Sequence, residues 1–435
     1  MVARSPVRPE WLVSLLARAP AVLVPLLVLT LPLEATQLFF PIHEIQLSRL
    51  VMGVCVIVLG AQIVLGVIPI ALPARRTWLP VAVFMLYAGI SAALTASSDG
   101  FKTLVAMLAY GLVALALFNW SGGEAAQKRF WAWFAVSVIA IALVGLVEAV
   151  TGHYIWNAPD AGFSRMNATF KDPNIYARFL TIGIMTSIVV AARSRLEWRP
   201  LQMAAIVLAA AVLPLTFSRQ GWFLGGAVLV VAVLLAQNRV AALGLSVLAL
   251  AVFAIVVFVD RDVLLRLNAF QQFLTAPHNP LFDTPLLAWI NVLPLDGVRH
   301  YLIAAGFQMF YDHPIFGVGF GRFPAEIAGP YRGFILPGRA TYDSHTSLVT
   351  IIAELGVVGL LLVVWWGYEL ARAMVGVARQ HAELQPFMVA TALGLMLIVL
   401  QSQLEGRLFT EPYGWVFIGA ALAATRPLAG VRQGR

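Results

Sequence analysis

The chain has 435 residues, of which 60% are hydrophobic and only 11% charged, far from the roughly one-quarter charged residues of a soluble globular domain; this excludes a soluble enzyme and makes it a polytopic membrane protein. Its formal charge of +8 is spread as small basic clusters between apolar runs, without the continuous basic stripe that nucleic-acid binding needs. The single cysteine, Cys55, lies inside an apolar run and excludes both a disulfide framework and a thiolate metal cluster.

In chain order, the N-terminal MVARSPVRPEWLVSLLARAP has a basic start before an apolar segment and no small-residue cleavage site at signal-peptide spacing, so the first helix is expected to be retained. Twelve stretches are apolar enough to be read as crossings of a ~30 Å hydrocarbon core: 15–33, 50–71, 79–97, 103–119, 130–151, 175–192, 201–217, 222–237, 240–258, 346–367, 386–403 and 413–426. The fold class is therefore all-α, with about twelve transmembrane helices and one large loop. Residues 1–258 carry spans one to nine, 259–345 the loop, and 346–435 the last three spans and the C-terminus.

Lys and Arg are retained on the cytoplasmic side, and their distribution predicts that both termini are cytoplasmic. Arg75, Arg76, Lys128, Arg129, Arg193, Arg195, Arg199, Arg239, Arg372 and Arg379 fall on that side. The outer face then receives 152–174, the SRQ corner at 218–220, the long loop and LEGRLFTEP at 404–412. Within the loop, 262–274 and 299–312 have apolar residues at helical spacing, and Pro280, Pro285, Pro294, Pro314 and Pro337 divide it. They predict amphipathic helices lying on the outer leaflet and capping the bundle.

Every residue with evident chemical potential lies on that outer face. Arg219 sits in TFSRQGW, Arg299 begins the segment before DHP, and Arg322 follows GVGFG. Arginine binds phosphate bidentately without titrating; the alternative for each is an interfacial arginine snorkelling to headgroups. The three glycines of 317–321 would let backbone approach a phosphate, but no strand–helix nucleotide context surrounds them and a tight turn is the better reading. His345, just before the span 346–367, has the side chain to take a proton from a hydroxyl or hold it; the plainer alternative is a helix cap. Glu354 lies nine residues further on, where an ionised carboxylate is costly, and is either paired in structure or turned to a cavity. Asp343, Asp172, Glu405 and Glu411 are further outer carboxylates, none of them singled out as a base. No pair of His or Asp stands at metal-ligand spacing on this face, and neither a metal nor another cofactor is expected.

Taken together, TFKDPNIYA at 169–177, SRQGW at 218–222, DHPIFGVGFGRF at 312–323 and SHTSLVTIIAELGVVG at 344–359 resemble the O-antigen ligase and polymerase superfamily, well in the second half and by hydropathy alone in the first five spans. The resemblance implies a C-type glycosyltransferase of the bacterial inner membrane. It would act at the periplasmic face without metal, on an undecaprenyl-diphosphate-linked glycan donor. Arg219 and Arg299, with Arg322 as a third candidate, would hold the donor diphosphate, and His345 would activate or position the acceptor hydroxyl. Glu354, Asp343 and Asn174 are supporting candidates. The implied acceptor is lipid A-core for a ligase, another repeat unit for a polymerase, or a protein side chain for an oligosaccharyltransferase. The chain has Thr346 where the family often has Asn, and Lys171–Asp172 where it often has Gly-Asn; the ligase version is preferred because the loop is compact, apolar and near the C-terminal third. From other classes, a transporter of lipid-linked glycans and a membrane scaffold stay open, although no internal repeat supports the transporter.

Overall fold

A computed structural model describes residues 9–34, 46–155, 165–193, 198–260, 263, 287, 297–334, 344–406 and 408–426. The described residues form helices and connections, with no strand among them. Before the long loop come α1 (Glu10–Thr30), α2 (Leu47–Val64), α3 (Arg75–Leu94), α4 (Ser98–Trp120), α5 (Glu124–Thr151), α6 (Pro173–Ala191), α7 (Arg199–Val212), α8 (Arg219–Leu235) and α9 (Arg239–Val259). After it come α10 (Gly297–Asp312), α11 (Phe323–Ala328), α12 (Ser347–Gln380), α13 (Gln385–Glu405) and α14 (Pro412–Ala423).

Among the described residues, ten helices are long and apolar enough to cross a membrane. The all-α polytopic class holds; a count of twelve is not reached. The stretches read as spans at 222–237 and 413–426 correspond to helices of only 17 and 12 residues. At 1.5 Å per residue the second rises about 18 Å, short of a hydrocarbon core of about 30 Å. It lies against α4 with almost every residue buried.

The bundle is organised around α6, which is buried from Ile175 to Ala191 and packs on α5, α7, α8, α9 and α13. Its sequence, IYARFLTIGIMTSIVVA, places apolar residues on every side, as suits a helix enclosed by others. Helix α8 reaches it through Gly221 and Gly225, where an added Cβ would lie 2.9 Å from Ala177 and 3.0 Å from Thr181. Small residues four apart let two backbones approach closely. This fixes the start of α8, and with it Arg219 and Gln220, beside the start of α6.

The predicted helix 299–312 exists as α10, while 262–274 falls outside the described residues apart from Val263. The buried side of α10 is covered by protein: Leu302, Ala305 and Met309 cluster with Phe323, Ile327 and Ala353, and Ile303 and Ala304 with Val349. Helix α10 therefore seats on the first turns of α12, and the chain leaving it turns back towards the bundle.

Candidate functional site

The segment Gly317–Phe323 is where α12 breaks. Gly356 has φ 62° and ψ −161° inside that helix, a conformation open to glycine and strained for other residues. The backbone groups released by the break are taken up by the incoming loop. Val318 and Gly319 donate N–H to the carbonyls of Ala353 and Glu354, both at 2.9 Å, and Val357 donates to the Pro314 carbonyl at 2.9 Å. The Glu354 carboxylate, 4% exposed, completes the clamp by accepting the Gly321 and Phe323 amides, each at 2.9 Å. Ser91 accepts the Phe320 amide at 3.1 Å, and Tyr87 donates to the Leu355 carbonyl at 2.9 Å.

Every amide from Gly317 to Phe323 is thereby used inside the protein, since Gly317 bonds His313 and Arg322 bonds Gly319. A glycine-rich run whose donors are spent cannot cradle a phosphate, so the tight-turn reading is the one realised. Gly321, at φ 74°, is pressed so closely on Gly100 at the start of α4 that a Cβ there would lie 2.2 Å from the Gly100 nitrogen.

His345 precedes α12 with φ 53°, in the left-handed region, which costs a non-glycine residue about 1–2 kcal/mol. Its surroundings impose that conformation. The Ser347 hydroxyl donates to the Gly406 carbonyl at 2.6 Å, and the Leu348 amide donates to Gln403 Oε1 at 3.0 Å. The start of α12 is thus tied to the end of α13, with His345 backbone packed against Gly406. Thr346, not His345, is the N-cap residue of α12.

A cavity of about 360 Å³ opens at this junction, lined by His345 and Glu354 together with Asp99, Asp172, Glu405 and Thr410. Glu405 is the point on which three helix ends converge. It accepts from Gln220 Nε2 at 2.5 Å and from Arg299 Nη2 at 3.2 Å, which brings the beginnings of α8 and α10 to the end of α13. Arg178 and Asp172 also interact electrostatically with it. Asp172 caps α6 by accepting the Asn174 backbone amide at 2.6 Å, and the Asn174 side-chain Oδ1 accepts from Arg165 Nη2 at 2.8 Å. Deeper in the bundle, Arg178 is fully buried and ion-paired with Glu411. Among the described residues no three His, Cys, Asp or Glu side chains gather as a metal site.

The residues singled out from sequence separate into groups. His345 and Glu354 line the cavity. Arg299 reaches it through Glu405, and Arg219 opens α8 immediately before Gln220, which holds the same carboxylate. Asn174 stands behind the Asp172 wall. Arg322 is turned to Glu326, with Nη2 at 2.8 Å and Nε at 3.2 Å from Oε1, and is not among the lining residues. Asp343 lies outside the described residues. Sequence reasoning did not separate Glu405 from the other outer carboxylates, and it passed over Arg165 and Arg178. The signal for Arg178 was present: an arginine inside the apolar run IYARFLTIG needs a buried partner.

Residues 204–364 match the family model described as O-antigen ligase. No curated protein matches the chain. The matched stretch holds Arg219, Arg299, Arg322, His345 and Glu354, whereas Asp99, Asp172 and Glu405 lie outside it. The SRQGW, GVGFGRF and SHTSLVTIIAELG segments fall inside that match, so this part of the helical membrane protein is similar to the O-antigen ligase family.

Proposed function

We propose that the protein is a ligase-type glycosyltransferase that moves a glycan from undecaprenyl diphosphate to a hydroxyl of lipid A-core at the periplasmic face of the bacterial inner membrane, both termini being cytoplasmic. One observation carries the reading: His345 and the Glu405 carboxylate that binds Arg299 line the same small cavity. A candidate proton acceptor thus lines the cavity, and a permanent cation is held at its Glu405 wall.

In this reading Arg219 and Arg299 hold the donor diphosphate, and Arg322 stays with Glu326. The acceptor oxygen bonds to the anomeric carbon as the carbon–oxygen bond to the diphosphate breaks, with inversion of configuration. The proton of the acceptor hydroxyl passes to His345, and the two charges of the arginines stabilise the departing diphosphate. Fixed cations aimed at developing charge do the work that a metal does elsewhere. Glu354 acts on the framework: it accepts loop amides and holds the cavity wall.

The test uses purified protein in nanodiscs with a polyprenyl-diphosphate-linked oligosaccharide, lipid A-core and EDTA. Transfer to lipid A-core by wild type, and its loss in His345→Ala and Arg299→Ala, is the expected result. Transfer only between donor molecules would make the protein a polymerase. Movement of donor across the bilayer without transfer to any acceptor would replace the enzyme by a transporter.

A further inference from the structure

Two arginines of different standing act on the Glu405 carboxylate. Arg299, on α10, donates from Nη2 to Oε1 at 3.2 Å, and its side chain is 22% exposed. Arg178, on α6, attracts the same carboxylate from inside the bundle and is fully buried. It stands five residues after Pro173, about 8 Å along the helix axis from the start of α6. Its guanidinium is ion-paired with Glu411 and lies 5.5 Å from the centroid of the Tyr413 ring. Glu405 ends α13 and Glu411 immediately precedes α14, so Arg178 acts on the carboxylates at both ends of the α13–α14 connection.

The arrival of a diphosphate changes the charge balance around Glu405. Gln220 Nε2 and Arg299 Nη2 both bond to its Oε1, Asp172 repels it, and its side chain is only 8% exposed. A diphosphate that draws Arg299 to itself takes a cation from Glu405 and sets a second anion beside it. A carboxylate this buried stays ionised only while it is paired. Arg178 is suited to supply that pairing: its charge is permanent, and Glu411 and Tyr413 hold it in its place behind the cavity.

We propose that Arg178 is a positioning residue for the transfer site, which shares its charge between Glu411 and Glu405, keeps Glu405 ionised and in place, and so lets Arg299 pass from Glu405 to the diphosphate. This rests on the reading of Arg299 as a diphosphate ligand. Arg178 itself touches no substrate. Without it the Glu405–Arg299 pair tightens, and a diphosphate has to compete with that pair for the guanidinium.

The experiment compares the full chain in nanodiscs as wild type, as the Arg178→Met, Glu411→Leu pair, and as that pair combined with Glu405→Gln. The pair removes one charge of each sign together, so neither is stranded, and thermal unfolding checks that each variant is folded. Two quantities are measured: binding of inorganic pyrophosphate by calorimetry, and initial rates of transfer from a polyprenyl-diphosphate-linked oligosaccharide to lipid A-core. The pair should weaken pyrophosphate binding and raise the donor KM, each about tenfold, the scale of coupling between linked sites, with kcat nearly unchanged. Adding Glu405→Gln removes the charge that retains Arg299 and should return both quantities towards wild type. Arg178→Lys, which keeps a cation, should fall between wild type and the pair. A folded pair variant with wild-type pyrophosphate affinity and donor KM, a loss confined to kcat, or no recovery on Glu405→Gln would overturn the proposal and leave Arg178 with a structural role. No transfer by wild type to any acceptor, with the pyrophosphate pattern as expected, would remove the transferase reading and leave the arginine exchange standing.

Discussion

His345 holds a left-handed backbone, uncommon for any residue but glycine, and strain of this kind persists where surrounding structure over-determines it. The ties from Ser347 and Leu348 to the end of α13 supply that determination. In the proposed mechanism His345→Ala should leave the fold intact and lower transfer about 10²–10⁴-fold, the range of general acid–base assistance; a stopped assay with labelled donor measures it. Arg299→Lys keeps the charge and loses the planar fork, so transfer should fall less than in Arg299→Ala yet stay well below wild type. Arg178 tests a different property. Paired with Glu411 in a fully buried position, it should on replacement by Met destabilise the protein by about 3–5 kcal/mol, the cost of stranding a buried charge, whereas the Arg178→Met, Glu411→Leu pair should recover much of that loss in thermal unfolding.

At the scale of elements, the decisive contact is the insertion of 314–321 into the break of α12. Glu354→Ala removes the acceptor of two amides, each costing about 1–3 kcal/mol when left unsatisfied. The expected result is a lower unfolding temperature and faster backbone hydrogen exchange over 317–323, with Glu354→Gln intermediate because one amide oxygen remains to accept. How far the elements could be read in the sequence follows from the same contact. Apolar runs of span length announced most helices, and the period of 299–312 announced α10. The break at Gly356 gave no local signal: AELGVVGLL reads as continuous helix, and only a partner loop some 35 residues earlier explains it. The same distance hid the role of Glu354, which looked like an intramembrane charge and is a backbone acceptor. Glu405 was equally unreadable, because Gln220 and Arg299 meet it from 185 and 106 residues away.

For the whole molecule, the proposed orientation puts the His345 end of the bundle away from the cytoplasm. Exposed positions test this. His153→Cys should react with a membrane-impermeant maleimide in intact spheroplasts, and Arg239→Cys only after permeabilisation; the native Cys55, fully buried, should stay silent in both. A second consequence concerns how the chain is divided. The stretch that matches the O-antigen ligase model ends at 364, yet the cavity containing His345 is walled by Asp99 from α4, Asp172 before α6 and Glu405 with Gly406 from the end of α13. A chimera that transplants 204–364 into a protein of the O-antigen ligase family would carry the histidine and the arginines but draw the opposite wall, and the support for the His345 backbone, from its host. The recognisable segment is therefore not a portable cassette, and exchange of acceptor preference between relatives should require the first half and the C-terminal helices to move with it.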